Sequence, residues 1–269
     1  MGGSVLSGIP YTWDEGLIIL GLVSVLLLVV MILSYIKKIG LEKEFPKALI
    51  KGGAQLFLVA VLLYYLFDFQ YWYFPIWLIL GVMAVVGGTT SAKRATNMPK
   101  AWEITTPSIL VGAGTVLVVL AVTAAMPMKP QFIIPLAGMA FGNSMRICSL
   151  ALDRLIREVK MNRVQVETYL SLGATPNEAM KDLGKLSVKA ALIPTIDSLK
   201  TLGLIFIPGA MAGLLIAGTD PILAAEYQII VYLMIVGGGL ITSLMVIYLA
   251  RKKIFNSSEQ VEDWILKGD

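Results

Sequence analysis

Long apolar runs separated by short polar punctuation organise this chain. Seven of them approach the ~20 residues needed to cross a hydrocarbon core: 17–36, 51–67, 74–92, 106–126, 133–152, 189–218 and 226–250. The second is short and has room to extend back towards Pro46. The sixth is longer than a straight crossing requires, and Pro208-Gly209 predicts a tilt, kink or break within it. The pattern predicts an all-α, polytopic membrane protein of about seven helices, organised as a single transmembrane domain over residues 1–269. The first run is preceded by Asp14 and Glu15 rather than by basic residues and is closed by Lys37-Lys38. A secretory signal has the opposite charge order, so this run is expected to be a retained helix.

The polar positions are sorted by sign. Lys37, Lys38, Lys43, Lys47 and Lys51 follow the first run, and Lys93, Arg94 and Lys100 follow the third. Arg154, Arg157, Lys160, Arg163, Lys181, Lys185 and Lys189 fall between the fifth and sixth. Arg251, Lys252, Lys253 and Lys267 follow the seventh. The opposite loops carry Lys129 with Asp14, Glu15, Asp68, Asp220 and Glu226. The positive-inside rule then places the N-terminus outside and the C-terminus in the cytoplasm of a plasma-membrane protein. Composition agrees: 57% of residues are hydrophobic and the mean hydropathy is +0.79, against 45–50% apolar in soluble domains. The net charge of +4 follows from the sorting and calls for a lipid bilayer rather than a nucleic acid as partner. With no histidine and a single cysteine, Cys148, the chain cannot by itself build a Ser-His-Asp site, a Cys-rich metal site or a disulfide framework.

One cluster breaks the apolar pattern. Asp197-Ser198-Leu199-Lys200-Thr201 interrupts the sixth run, where ionisable groups are costly unless paired or facing a polar cavity. Asp197 and Lys200, three apart, share a helix face and are expected either to form a buried pair or to line a pathway. Ser198, Thr195, Asn143 and Gln55 supply neutral oxygens within spans, while Arg146 and Lys200 oppose a cation. Glu103 and Asp153 fall near span edges, which leaves Asp197 as the candidate metal ligand. The Gly138/Gly142, Gly209/Gly213 and Gly237-Gly238-Gly239 sets predict close helix contact. Cys148 and the 13 methionines are expected to serve as packing residues.

The hydrophilic stretch 153–189 is patterned as helix, corner, helix. Val164, Val166, Leu170 and Leu172 punctuate a helix that stops at Gly173. Thr175 then suits an N-cap, Pro176 the first helical position and Glu178 a capping box. Such a rigid cytoplasmic corner is a shape on which another protein can dock. After the last span, Val261, Trp264 and Ile265 are expected to act as interfacial anchors of a short tail.

These motifs carry a resemblance. Ile134-Pro135-Leu136-Ala137-Gly138-Met139 with Gly142-Asn143-Ser144-Met145, the corner Glu167 to Pro176, and Asp197-Ser198-x-Lys200-Thr201-x-Gly203-Leu204 are similar to the FetB-type permeases. So are Pro208-Gly209-Ala210-Met211-x-Gly213 and Tyr227-Gln228-Ile229. That family includes bacterial iron-export and plant aluminium-tolerance permeases. The match is dense from about 133 to 248 and fainter upstream, where Leu41-Glu42-Lys43-Glu44 and Gln55 fit. The corner departs from a typical ABC-permease loop in Thr168-Tyr169 and Leu186.

The resemblance implies the permease subunit of an ATP-driven (ABC) exporter with iron or a related metal as cargo. It implies two permeases and two separate cytoplasmic ATPase subunits per complex. ATP would bind in that partner, for the chain has no phosphate-binding loop: Gly184-Lys185 is followed by Leu186. The chain would then be no enzyme and would hold no cofactor of its own. Glu167, Leu172, Gly173, Ala174, Thr175 and Pro176 would couple to the ATPase; Gln55, Asn143, Asp197, Ser198, Lys200, Thr201 and Pro208 would form the pathway or its gate. An anionic or amphiphilic cargo, an ion-coupled carrier using Asp197, and a non-transporting scaffold remain open as rivals.

Overall fold

A computed structural model describes residues 12–40, 42, 44–67, 71–95, 98–125, 127–256 and 258–265. Leu41, Lys43, Asp68 and Lys267 lie outside the described residues. The described chain is helical throughout and divides into two compact units, Met1–Gln70 and Tyr71–Asp269.

The first unit holds α1 (Trp13–Ile36) and α2 (Glu44–Phe67). The Thr12 N–H at the head of α1 donates to Glu15 Oε2 at 2.8 Å, which satisfies a backbone group that the helix leaves open. In its last turn, Ser34 Oγ donates to Glu42, beyond the helix end, at 3.1 Å and ties the connection back. The short second run does become a full crossing, since α2 starts at Glu44. Pro46 sits in its first turn, where no intrahelical N–H bond is lost.

The second unit comprises α3 (Tyr73–Ala92), α4 (Trp102–Val122), α5 (Pro130–Met161), α6 (Arg163–Ser171), α7 (Pro176–Lys200), α8 (Gly209–Ile216) and α9 (Pro221–Ile254). Its centre is α4, α5 and α9. A Cβ built at Gly112 of α4 would sit 1.9 Å from Thr242 Oγ1 and 2.6 Å from the Gly238 carbonyl of α9. One at Gly239 would sit 2.2 Å from Ile147 Cδ1 of α5, and one at Gly88 of α3 would sit 2.6 Å from the Thr106 Cα of α4. The helices can therefore approach only because these positions lack a side chain. Of the glycines predicted to mediate contact, Gly238 and Gly239 do so. Gly138, Gly142, Gly209, Gly213 and Gly237 meet nothing within 4 Å. Small residues permit close approach, but they do not say which helix face is occupied.

Six described helices, not seven, are long and apolar enough to cross: α1, α2, α3, α4, α5 and α9. The sixth run is divided between α7 and α8, and the break begins at Thr201, well before Pro208. Gly203 adopts φ +77°, a left-handed conformation suited to glycine, and its N–H donates to the Phe206 carbonyl at 3.1 Å. Pro208 then supplies the extended residue from which α8 starts. The polar stretch is shortened at both ends, because α5 continues to Met161 and α7 already begins at Pro176.

The C-terminal stretch folds back on α9. Phe255 bridges to Val261, and Val261 and Ile265 are buried. The Trp264 indole N–H donates to the Lys253 carbonyl at 2.9 Å, and Lys253 reaches Glu103 of α4 at 2.7 Å. Val261, Trp264 and Ile265 thus staple the protein to itself instead of serving as free membrane anchors; residues 266–269 lie outside the described residues.

Candidate translocation cleft and capped corner

Between α5, α7 and α9 lies a cleft of about 330 Å³ lined by Asn143, Arg146, Thr195, Ser198, Phe206 and Tyr232, with apolar neighbours. Asn143 is buried, and its Nδ2 donates to the Ile235 carbonyl of α9 at 3.0 Å. Gly239 leaves the space for that reach, since a Cβ there would lie 3.3 Å from the same Nδ2. On the facing helix, Pro194 removes a backbone donor from the interior of α7. One turn on, Ser198 Oγ donates to the Pro194 carbonyl at 2.9 Å. The cleft therefore gathers Asn143, Arg146, Thr195 and Ser198, residues far apart in the chain. Its lining contains one fixed positive charge and no carboxylate.

Asp197 and Lys200 do pair, with Nζ to Oδ1 at 3.2 Å, but their side chains are 60% and 70% exposed. The pair is not buried, which corrects that expectation, and neither residue lines the cleft. The reason is helical phase: Ser198 and Thr195 turn towards α5 and α9, which directs Asp197 elsewhere. Thr201 ends α7 by donating from Oγ1 to the Asp197 carbonyl at 3.0 Å. Lys200 in the last turn also suits the negative end of the helix dipole. Among the described residues no group of three His, Cys, Asp or Glu side chains comes together. Gln55 lies exposed on α2, within the first unit.

Beyond the break, Pro208 precedes α8, and Gly209 and Gly213 line a second cavity of about 240 Å³ with Phe132, Pro135, Met139 and Tyr227. The start of α8 is held by Gln228: the Met211 N–H donates to its Oε1 at 3.1 Å, and the glutamine is buried in α9. The sequence reading assigned Gln228 no role. Its signal was an uncharged polar side chain within an apolar span, which demands a partner.

The corner forms as its caps dictate. Leu172 closes α6, and Gly173 adopts φ +88°. The Thr175 N–H and Oγ1 each donate to Glu178 Oε2 at 2.8 Å, and the Glu178 N–H donates back to Thr175 Oγ1. The backbone hydrogen bond from Thr175, then its hydroxyl, hold the Glu178 carboxyl below the usual glutamate range. Glu167 accepts from Arg163 one turn earlier. Val166 is buried and fixes α6, whereas Val164 and Leu172 are each 78% exposed. Ala174 and Pro176 complete the turn between α6 and α7.

Six described helices long and apolar enough to cross a membrane, an interrupted further run and a capped corner between α6 and α7 define a polytopic helical membrane protein. Residues 17–255 match the family model described as "Uncharacterised protein family (UPF0014)", and the chain belongs to that family. It is 35% identical over 242 residues to the Escherichia coli K12 protein named "Probable iron export permease protein FetB", covering 90% of this chain and 93% of that one. It is 35% identical over 239 residues to the rice "UPF0014 membrane protein STAR2", 88% of this chain and 83% of that one. With the Arabidopsis thaliana "Protein ALUMINUM SENSITIVE 3" it shares 33% identity over 247 residues, 91% and 89% of the two chains. No solved structure matches it. The family is thus the one that the motifs between 133 and 248 resemble.

Proposed function

We propose that this chain is the permease subunit of an ATP-driven exporter and carries iron or a related metal ion out across the plasma membrane. ATP is bound and hydrolysed by a separate cytoplasmic subunit, and the permease works as a homodimer with its N-terminus outside and its C-terminus inside. The observation that carries this reading is a mechanical connection. The corner lies between α6 and α7; α7 and α5, the helix that leads directly into α6, are also two of the three walls of the cleft. An ATPase that moves Glu167, Leu172, Gly173, Ala174, Thr175 and Pro176 therefore moves Asn143 and Ser198. Asp197 and Lys200 latch the end of α7 above the break, and Thr201 and Pro208 bound the segment that must reshape. In a homodimer two Asp197 carboxylates would offer oxygen ligands to the cation.

Arg146 in a cleft without a lining carboxylate favours a second reading, in which the cargo is anionic or amphiphilic. The two separate on reconstitution of the chain with its ATPase in vesicles. The metal reading expects iron to stimulate ATP hydrolysis and to leave the vesicle side that carries the ATPase, and it expects Leu172→Asp to abolish both without unfolding the chain. Stimulation by a lipid or nucleotide sugar, with none by ferrous or ferric iron, would overturn it.

A further inference from the structure

A groove of about 420 Å³ lies between the first half of α7 and the last turns of α9, apart from the cleft. Its floor is apolar, with Met180 and Val188 from α7 and Leu244, Ile247 and the Tyr248 ring from α9. Gly184 allows this packing, since a Cβ there would lie 3.2 Å from Ile247 Cγ2. The rim is cationic: Lys181, Lys185 and Lys189 recur every fourth residue along one side, so they share a helix face. Arg251 closes the far end, its guanidinium 4.9 Å from the Tyr248 ring centroid.

The charges are poorly compensated. Lys185 pairs with Asp182 at 3.1 Å, and that carboxylate is itself 90% exposed. Glu178 lies one turn from Lys181 and is within reach of its charge, but its hydrogen bonds go to Thr175 and the two form no ion pair. Among the described residues, Lys181, Lys189 and Arg251 have no carboxylate within ion-pair distance. The groove also sits at a boundary in depth. Its α9 wall is apolar through Ala250 and then turns basic at Arg251-Lys252-Lys253, the mark of the point where a span leaves the hydrocarbon.

We propose that this groove binds an anionic phospholipid of the leaflet on the Lys/Arg-rich side. One acyl chain would lie on the Val188, Leu244 and Ile247 floor, and the phosphate would be held by the lysine row and Arg251. Charge and shape select this occupant. A metal cation is repelled by four positive side chains, and a soluble anion has no use for the apolar floor. Basic pockets between membrane helices select anionic headgroups in this way, and long lysines bury their stems while lifting their ammonium groups to headgroup level. A lipid so held would bridge α7 and α9 and steady the arm that joins the corner to the cleft.

The test uses the full-length chain in detergent, with no ATPase. Native mass spectrometry compares retention of phosphatidylglycerol, phosphatidylcholine of the same chain lengths, and inorganic phosphate. Phosphatidylglycerol is expected to be retained at least tenfold better than phosphatidylcholine, with inorganic phosphate a poor competitor. Replacing Lys181, Lys185 and Lys189 together by Gln should remove that preference, and V188W, which fills the floor but leaves every charge, should lower retention of both lipids. Equal retention of the two lipids by the native chain would overturn the proposal. So would an undiminished preference in the triple-glutamine chain, undiminished retention by V188W, or displacement by phosphate as effective as by lipid.

Discussion

Glycines stand on both sides of the second unit, and they behave in opposite ways. In the α4–α5–α9 centre, Gly112 and Gly239 sit where any side chain would strike a neighbouring helix. In the α7–α8 arm, Gly203 takes a left-handed turn, and Gly209 and Gly213 face open space around a cavity. The first set locks backbones together and the second leaves room for them to move. Polar groups divide in the same way. Thr242 and Asn143 are buried and bonded to carbonyls in or beside the centre, while Asp197 and Lys200 remain exposed at the end of the arm. A tightly packed frame and a loosely packed arm are thus built from the same residue types, and position alone distinguishes them.

The contrast is most sharply broken at Gly112. Gly112→Val should cost about 3 kcal/mol or prevent folding, read as a lost thermal transition or an aggregated elution profile in detergent, because backbone as well as side-chain atoms block the new methyls. A normal melting temperature would show that the centre is not tightly locked. Asp197→Asn should leave folding nearly unchanged, since exposed ion pairs contribute little stability, yet lower transport at least tenfold. If the pair is a latch, exchanging the two charges (Asp197→Lys with Lys200→Asp) should restore much of that flux; no recovery would instead make Asp197 a direct cargo ligand.

Smaller effects are expected at the caps and staples. Thr175→Ala should destabilise the start of α7 by about 1 kcal/mol, seen as faster amide exchange at 177–180 and weaker coupling to the ATPase. The pH dependence has a defined sign. Glu178 has its folded pKa lowered, so its contribution is complete above the unfolded glutamate range and is lost as pH falls through the lowered folded value. Trp264→Phe removes the indole bond to Lys253 and should lower stability by about 1 kcal/mol, with faster exchange confined to the C-terminal staple. Gly138→Ala, with nothing near it, should stay within about 0.5 kcal/mol; a large loss would mean that this face is covered in the assembled protein.

The capped corner was legible residue by residue because Gly173, Thr175, Pro176 and Glu178 act on one another over three or four positions. The extension of α2 back towards Pro46 was legible too, although the helix runs two residues further, to Glu44. The break was only half legible: Pro208 marks its end, but its start at Thr201 depends on Gly203 folding back on Phe206. Among the site residues, Asn143 and Ser198 meet in one cleft, whereas Asp197, which the sequence singles out most strongly, faces away from it. Gln228 stood in a motif without a role, because it holds α8, an element that exists only once the sixth run has broken.

What the sequence determined alone is the part governed by short-range chemistry and by the solvent: apolar length, charge sorting, caps, breakers and the family to which these motifs belong. Tertiary structure decided which glycines touch, which polar groups are buried and which residues share a cleft. Those outcomes depend on the rotation of each helix relative to its neighbours. In lipid, where an apolar side chain is nearly as well solvated on either face, hydrophobic pattern alone does not set that rotation. Close packing at Gly88, Gly112, Gly238 and Gly239 does.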